Sequence, residues 1–307
     1  MTPFRFGMQA RGGASAADWL ATARQAEELG FSTLQIFDHF LHGVGPIAAL
    51  AAAAMATRTV RLGSFVLAND YRHPVLLAQE AATIDQLSEG RLELGLGAGW
   101  DRAEYTAAGL PFDAPGKRID RLEEAIQLVK RLWTEARVTT SGGHYAVTDL
   151  TLAAKPVQQP HPPIMIGGGG QRLLQVAGRH ADIVGLAPRA LPDGTLEPAS
   201  IAAEATARKV EWVREAASSR ETTPELNVYV YAVEITDDAP AAAERLVEDF
   251  DLPAAEILTS PHALIGTAER IVETLQERRE RYGLSYITVG SHLAVTLAPI
   301  VARLSGT

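Results

Sequence analysis

The chain has 307 residues, 47% hydrophobic and 21% charged, which is the balance of a globular protein and not of a disordered one. Its 37 acidic residues outweigh 28 basic ones, and the net charge of -9 argues against a general affinity for nucleic acid or for an anionic membrane surface. Cysteine is absent, which removes disulfides, thiolate nucleophiles and cysteine-ligated metals; with no run of transmembrane length and no signal-peptide pattern at the N-terminus, a soluble cytoplasmic protein is expected.

Phe4 to Met8 reads as a first strand, and Ser15, with Asp18 three residues on, caps a helix that carries Trp19, Leu20, Ala23, Ala26 and Leu29 and stops at Gly30. Thr33 to Phe37 is a second strand, followed abruptly by Asp38 and His39. A helix from Pro46 to Thr57 leads to a third strand, Val60 to Leu67, then a loop, Asn69 to His73, and a helix begun by Pro74 and ended by Gly90. Arg91 to Leu96 is a fourth strand that runs into Gly97, Gly99 and Trp100. The helix Arg118 to Trp133 places Ile119, Leu122, Ile126, Val129 and Trp133 on one face. Val138 to Thr140 and Tyr145 to Val147 form a hairpin, and with the Pro-rich lead to Pro163 they make an insertion over about 137–163.

Pro163 to Gly170 is an apolar strand ending in four glycines, and Leu173, Leu174, Val176 and Ala177 then recur at helical spacing. Such a junction points unpaired helix N–H groups out of the fold and lets a ligand approach the main chain, so it reads as a phosphate cradle, with an ordinary tight turn as the alternative. Asp182 to Leu186 is the sixth strand, Ile201 to Ala217 a helix, and Leu226 to Val233 the seventh strand. A helix plus an irregular insertion fills about 237–266, Thr267 caps the helix of Ile271 and Leu275, and Tyr286 to Val289 is the eighth strand before a closing helix through Leu297 and Val301. Alternation of this kind through the whole chain, with no linker, predicts one domain over 1–307, a (β/α)8 TIM barrel of α/β class. The dinucleotide fingerprint of the competing doubly wound sheet is missing, because Trp100 and Arg172 stand where its last glycine belongs.

In a barrel the residues past each strand's C-terminal end share one face. Here they are Asp38 and His39, Ser64 to Asn69, Gly97 to Trp100, Gly167 to Gly170 and Gly185 to Ala187, a set of small and neutral residues that suits a flat ligand with a phosphate tail. No hydrolase elbow and no paired metal spacing is present. His39 reads either as a proton donor in the pocket or as a rim histidine bonded to a carbonyl; Asp38 reads as its neighbour in the site or as a cap; Trp100 reads as a pocket wall or as core.

The ordered motifs Phe37-Asp38-His39-Phe40, Tyr71-Arg72-His73-Pro74, Arg91 to Trp100, Pro156 to Pro163, the glycine run and Ser260-Pro261-His262 resemble the bacterial luciferase-like oxidoreductases, in particular the actinobacterial branch that uses the deazaflavin coenzyme F420. The resemblance implies an F420-dependent oxidoreductase that passes a hydride between the deazaflavin C5 and an organic substrate. In it Asp38 and His39 meet the ring, with His39 catalytic; Ser64, Phe65 and Val66 form a bulge with a non-prolyl cis peptide between Phe65 and Val66; Ala98, Gly99 and Trp100 line the ring; and Gly168, Gly169, Gly170 and Gln171 hold the phosphate. It also implies a homodimer and no metal. Trp100 stands where the family's sugar-phosphate dehydrogenases carry a proton-transferring glutamate. FMN with monooxygenase chemistry is the alternative cofactor reading, a non-catalytic flavin-binding protein a second, and an unrelated sugar-phosphate barrel enzyme a third.

Overall fold

The computed structural model describes residues 2–307. Eight parallel strands, Arg5–Ala10, Thr33–Ile36, Arg61–Ser64, Leu92–Gly97, Ile164–Gly168, Ile183–Leu186, Glu225–Val230 and Leu284–Gly290, pair in chain order, and the eighth pairs with the first. The ring closes where Leu62 and Gly63 of the third strand meet Leu92 and Glu93 of the fourth, so the sheet is a barrel without free edges. The (β/α)8 architecture expected from the alternation is the one observed.

The helices form where the sequence punctuates them. Ser15 accepts the Asp18 N–H at the start of the helix Ala16–Glu28. The next two outer helices, Pro46–Ala56 and Pro74–Leu87, both start on a proline, whose missing N–H costs nothing there. Leu122, Ala125, Ile126, Val129, Leu132 and Trp133 on the helix Pro115–Thr134 return every three or four residues and form its buried face. None of the helices among the described residues is long and apolar enough to cross a membrane.

Departures from the sequence reading cluster at the C-terminal ends of the strands. The third strand stops at Ser64, the chain bulges through the cis peptide Phe65–Val66, and pairing resumes with the fourth strand at Leu67–Ala68. The apolar run Leu226 to Val233 changes partners at Tyr231. Up to Val230 it belongs to the barrel, whereas Ala232–Ile235 pairs in parallel with Ala263–Gly266 in a small side sheet. Unbroken alternation carries no mark of such a hop. The segment read as a helix plus an irregular loop holds the short helices Ala239–Glu244, Val247–Phe250 and Ala254–Thr259 as well as that side strand. A short helix, Arg102–Ala107, follows the fourth strand, and a small hairpin pairs Arg189–Ala190 with Leu196–Glu197; neither was legible in the residues.

Candidate active site

Because the strands are parallel, Asp38 and His39, the Phe65–Val66 bulge, Ala98 to Trp100 and Gly167 to Gly170 all gather at one mouth of the barrel. The bulge explains most of the glycines there. A methyl group on Gly97 would stand 2.8 Å from Val66 Cγ2, one on Gly167 2.9 Å from Val66 Cγ1, and one on Gly185 2.9 Å from the Phe65 ring. The fourth, fifth and sixth strands are therefore stripped of side chains to admit Phe65 and Val66, which remain half-buried at the centre of the mouth. Gln9 holds the bulge by donating to the Phe65 carbonyl at 2.8 Å, and the Phe65 ring stacks on Tyr229 with centroids 5.9 Å apart. Ser64 secures its near side, donating to the Gly95 carbonyl and accepting the Gly95 N–H, both at 2.9 Å.

The glycine run divides into two functions. Gly168 packs against Leu173, and Gly169 packs against the Ala187 carbonyl and Pro188. Lys209 fixes that second loop from behind, donating to the carbonyls of Ala187 at 2.6 Å and Ser200 at 2.7 Å, and burial lowers its pKa to about 8. Gly170 differs from both, since a side chain there would meet open space. It is the N-cap of the helix Gln171–His180, and no side chain caps that helix. The first N–H groups of a ten-residue helix thus face an open position, the donor set that a phosphate requires.

On the opposite side of the mouth, Asp38 is committed to the protein. Both its oxygens take the Arg72 guanidinium, at 2.5 and 3.1 Å, and one also accepts the Ala68 N–H at 3.1 Å. That fork ties the second strand's end to the loop after the bulge, so Asp38 shapes the site from beneath. His39 remains partly exposed, with Phe37 and Trp100 meeting it edge-on at 5.2 and 5.7 Å between centroids.

The residue to which the sequence alone assigns no role is Glu104, the carboxylate four positions after Trp100. It is 1% exposed, yet its Oε2 lies 2.8 Å from His39 Nδ1. The same oxygen accepts the Tyr71 hydroxyl at 3.4 Å, and Oε1 accepts the Leu41 N–H at 3.2 Å. With donors on both oxygens, Glu104 acts as an acceptor and assigns the His39 proton to Nδ1, which leaves Nε2 for the mouth. Burial, then the charges of Glu104 and Asp38, push the Tyr71 hydroxyl pKa upward, so Tyr71 stays a donor. Its signal in the sequence is Asp101, which caps Arg102–Ala107 by accepting the N–H groups of Ala103 and Glu104; Asp-x-x-Glu is the spacing of a capping box, with the glutamate turned to His39 instead of the cap. His39, Asp101 and Glu104 also place one ligand atom each within 4.8 Å of one another; Asp101 Oδ1 is engaged in the cap and His39 Nδ1 in the Glu104 contact.

The family model of the luciferase-like monooxygenases matches residues 1–286. An F420-dependent glucose-6-phosphate dehydrogenase from Intrasporangium calvum is 37% identical over 168 residues, 52% of this chain and 50% of the relative. An FMNH(2)-dependent dimethylsulfone monooxygenase from Pseudomonas putida is 34% identical over 131 residues, 43% of this chain and 36% of the relative. The chain thus spans about half the length, or less, of these curated relatives. Among solved structures, the monooxygenase RslO1 from Streptomyces bottropensis superposes with a TM-score of 0.75 at 25% identity, covering 98% of this chain and 97% of that one.

Proposed function

This chain belongs to the luciferase-like monooxygenase family, and on that premise we infer that it is an F420-dependent oxidoreductase acting on an uncharged organic molecule. One observation carries the reading: an uncapped helix start behind an open Gly170 and a carboxylate-held histidine stand on the same mouth of one barrel, on opposite sides of the Phe65–Val66 bulge. F420, when bound, supplies hydride chemistry at its C5 carbon. The N–H groups at the start of Gln171–His180 would hold its phosphate, with Phe65, Val66 and Ala98 to Trp100 against its ring. The family's F420-dependent relatives, matched over half their length, support this choice of coenzyme.

The chain's own residues do the rest. Glu104 keeps the His39 proton on Nδ1, so that Nε2 takes a proton from a substrate hydroxyl or, once protonated, returns one to a carbonyl oxygen. Trp100 and Phe37, packed edge-on against the ring, fix the imidazole plane. Most cations around the mouth are engaged, Arg72 by Asp38, Lys209 by two carbonyls, Arg118 by the carbonyls of Asp113 and Gly99, and Arg172 by Asp120, while exposed Arg11 lies over the Phe37 ring. The exposed side chains that follow His39 are Phe40, Leu41, His42 and Val44, with the His42 ring 6.3 Å from His39. This lining favours an uncharged, largely apolar substrate over the sugar phosphate named for the relatives.

The Pseudomonas putida relative favours FMN with monooxygenase chemistry as the second reading, since the cradle suits the phosphate of either coenzyme. Titration of the protein with F420 separates them. Saturable quenching of F420 fluorescence is expected, with FMN lost on gel filtration; absence of quenching together with retained FMN and oxygen uptake with reduced FMN overturns the assignment.

A further inference from the structure

A cavity of about 290 Å³ lies outside the mouth, behind Tyr71, and the function above leaves it without a use. Asn69, Asp70, Tyr71, Arg72, Arg121 and Tyr145 form most of its wall, and exposed His73 forms its lip, so it opens to solvent. Its charges are already paired: Arg121 forks onto Asp70 at 2.7 Å and reaches Asp113 at 2.9 Å, and Arg72 is held by Asp38. A neutralised cavity of this size accommodates several water molecules, each occupying roughly 30 Å³, and presents no unpaired charge to bind an ionic ligand.

What the cavity does have is a hydrogen-bonded connection to the active site. Tyr71 belongs to its wall, the Tyr71 hydroxyl donates to Glu104 Oε2, and that oxygen receives the proton of His39 Nδ1. Glu104 is buried, and of its three partners, His39, Tyr71 and the Leu41 N–H, the two side chains on Oε2 are the ones that connect it to solvent. The Tyr71 ring is fixed in this place, stacked on Phe40 with centroids 4.4 Å apart and packed against Tyr105 at 5.2 Å.

We propose that this cavity is a proton vestibule, and that Glu104 and Tyr71 pass protons between it and His39 Nδ1 while a ligand closes the mouth over Nε2. The proposal rests on the assignment of His39 as the proton-handling residue. Each passage moves one proton and no electrons. A proton that arrives at Nε2 is matched by one leaving Nδ1 for Glu104; Glu104 gives one to the Tyr71 oxygen as the Tyr71 hydroxyl proton passes to water in the cavity. Delivery toward the mouth runs the same bonds in reverse. Without such a back route, a histidine sealed beneath coenzyme and substrate would keep its extra proton until product left.

The test needs no coenzyme. In protein labelled with ¹⁵N-histidine, the solvent exchange rate of the His39 Nδ1 proton is measured by NMR for the parent, Tyr71→Phe and Leu110→Trp, the last filling the cavity from its other wall. Exchange at least tenfold slower in both variants, with the Nδ1–H tautomer retained, is the expected result. Rates within twofold across the three proteins overturn the vestibule, and if Tyr71→Phe does not fold, Leu110→Trp alone decides. F420 titration of the same samples reports separately on the coenzyme: a protein that exchanges by this route but leaves F420 fluorescence unchanged keeps the vestibule and loses the coenzyme assignment.

Discussion

At the N-terminal end of the barrel Glu93 lies buried between Arg5 and Arg61, each 2.6 Å from its Oε1; Arg5 also forks onto Glu225, and the Tyr286 hydroxyl reaches Glu93 from inside. At the C-terminal end the ion pairs, Asp38 with Arg72 and His39 with Glu104, stand to one side, and Phe65 and Val66 are set against strands reduced to glycine. Burial works against the Glu93 charge, but the two guanidiniums prevail and hold its pKa below the usual carboxylate range. The floor is thus closed across its centre by paired charges, with a cleft of about 470 Å³ beside Arg5 and Glu225. The mouth spends its sequence on space: glycines that would pack poorly elsewhere admit one bulge, and the bulge leaves a half-buried apolar platform between His39 and Gly170. The contrast follows the division of labour in such barrels, with stability at one end and chemistry at the other.

Substitution at the floor should then cost stability alone. Glu93→Gln leaves Arg5 and Arg61 without their shared buried partner and is expected to destabilise the fold by about 3 kcal/mol in urea unfolding, the low end for breaking a buried pair, while the F420 dissociation constant stays within twofold. A tenfold change in that constant would show the two ends to be coupled. At the mouth the pattern reverses. Gly167→Ala drives a methyl against Val66, whose branched Cβ cannot rotate away, so about 2 kcal/mol of stability is lost; F420 quenching should weaken by at least tenfold because the platform shifts. Unchanged quenching would remove Val66 from the ring site.

The smallest effect concerns pH. His262, just before the side strand Ala263–Gly266, donates from Nδ1 to the Tyr229 carbonyl at 2.8 Å and has a fully buried Nε2 with no partner. Burial, with Lys209 nearby, lowers its pKa to about 3 from the ordinary 6.5. Between those values the unfolded chain binds a proton that the folded chain does not, so stability falls as pH drops through this window. His262→Asn keeps a donor and removes the titration. It should reduce by about 1.6 kcal/mol the stability lost between pH 6.5 and 5; an identical acid dependence in the two proteins would count against a neutral buried imidazole.

How much of this was legible in the residues varies from place to place. The eight strands followed from apolar runs bounded by glycine and proline, because those signals are local. Asp38, His39, the bulge and the glycine run were found as motifs, yet the motifs did not say what each glycine is for. Gly97, Gly167 and Gly185 answer to side chains about 30 to 120 residues earlier in the chain, a relation with no local trace. Glu104, four residues beyond Trp100, is the nearby carboxylate in the sequence, but nothing local gives it a role, since its helix is a single short one and its partner lies 65 positions away.

By itself, then, the sequence determined the α/β alternation, the barrel that alternation demands and the mouth at which its polar strand ends collect, all consequences of periodicity and turn chemistry acting within a few residues. Tertiary structure alone decided that Glu104 holds His39, that Arg72 occupies Asp38, and that Tyr71 separates the site from a second cavity. Those pairings depend on how far each loop travels across the top of the barrel and which neighbour it meets there, and that distance is set by packing between elements remote in the chain.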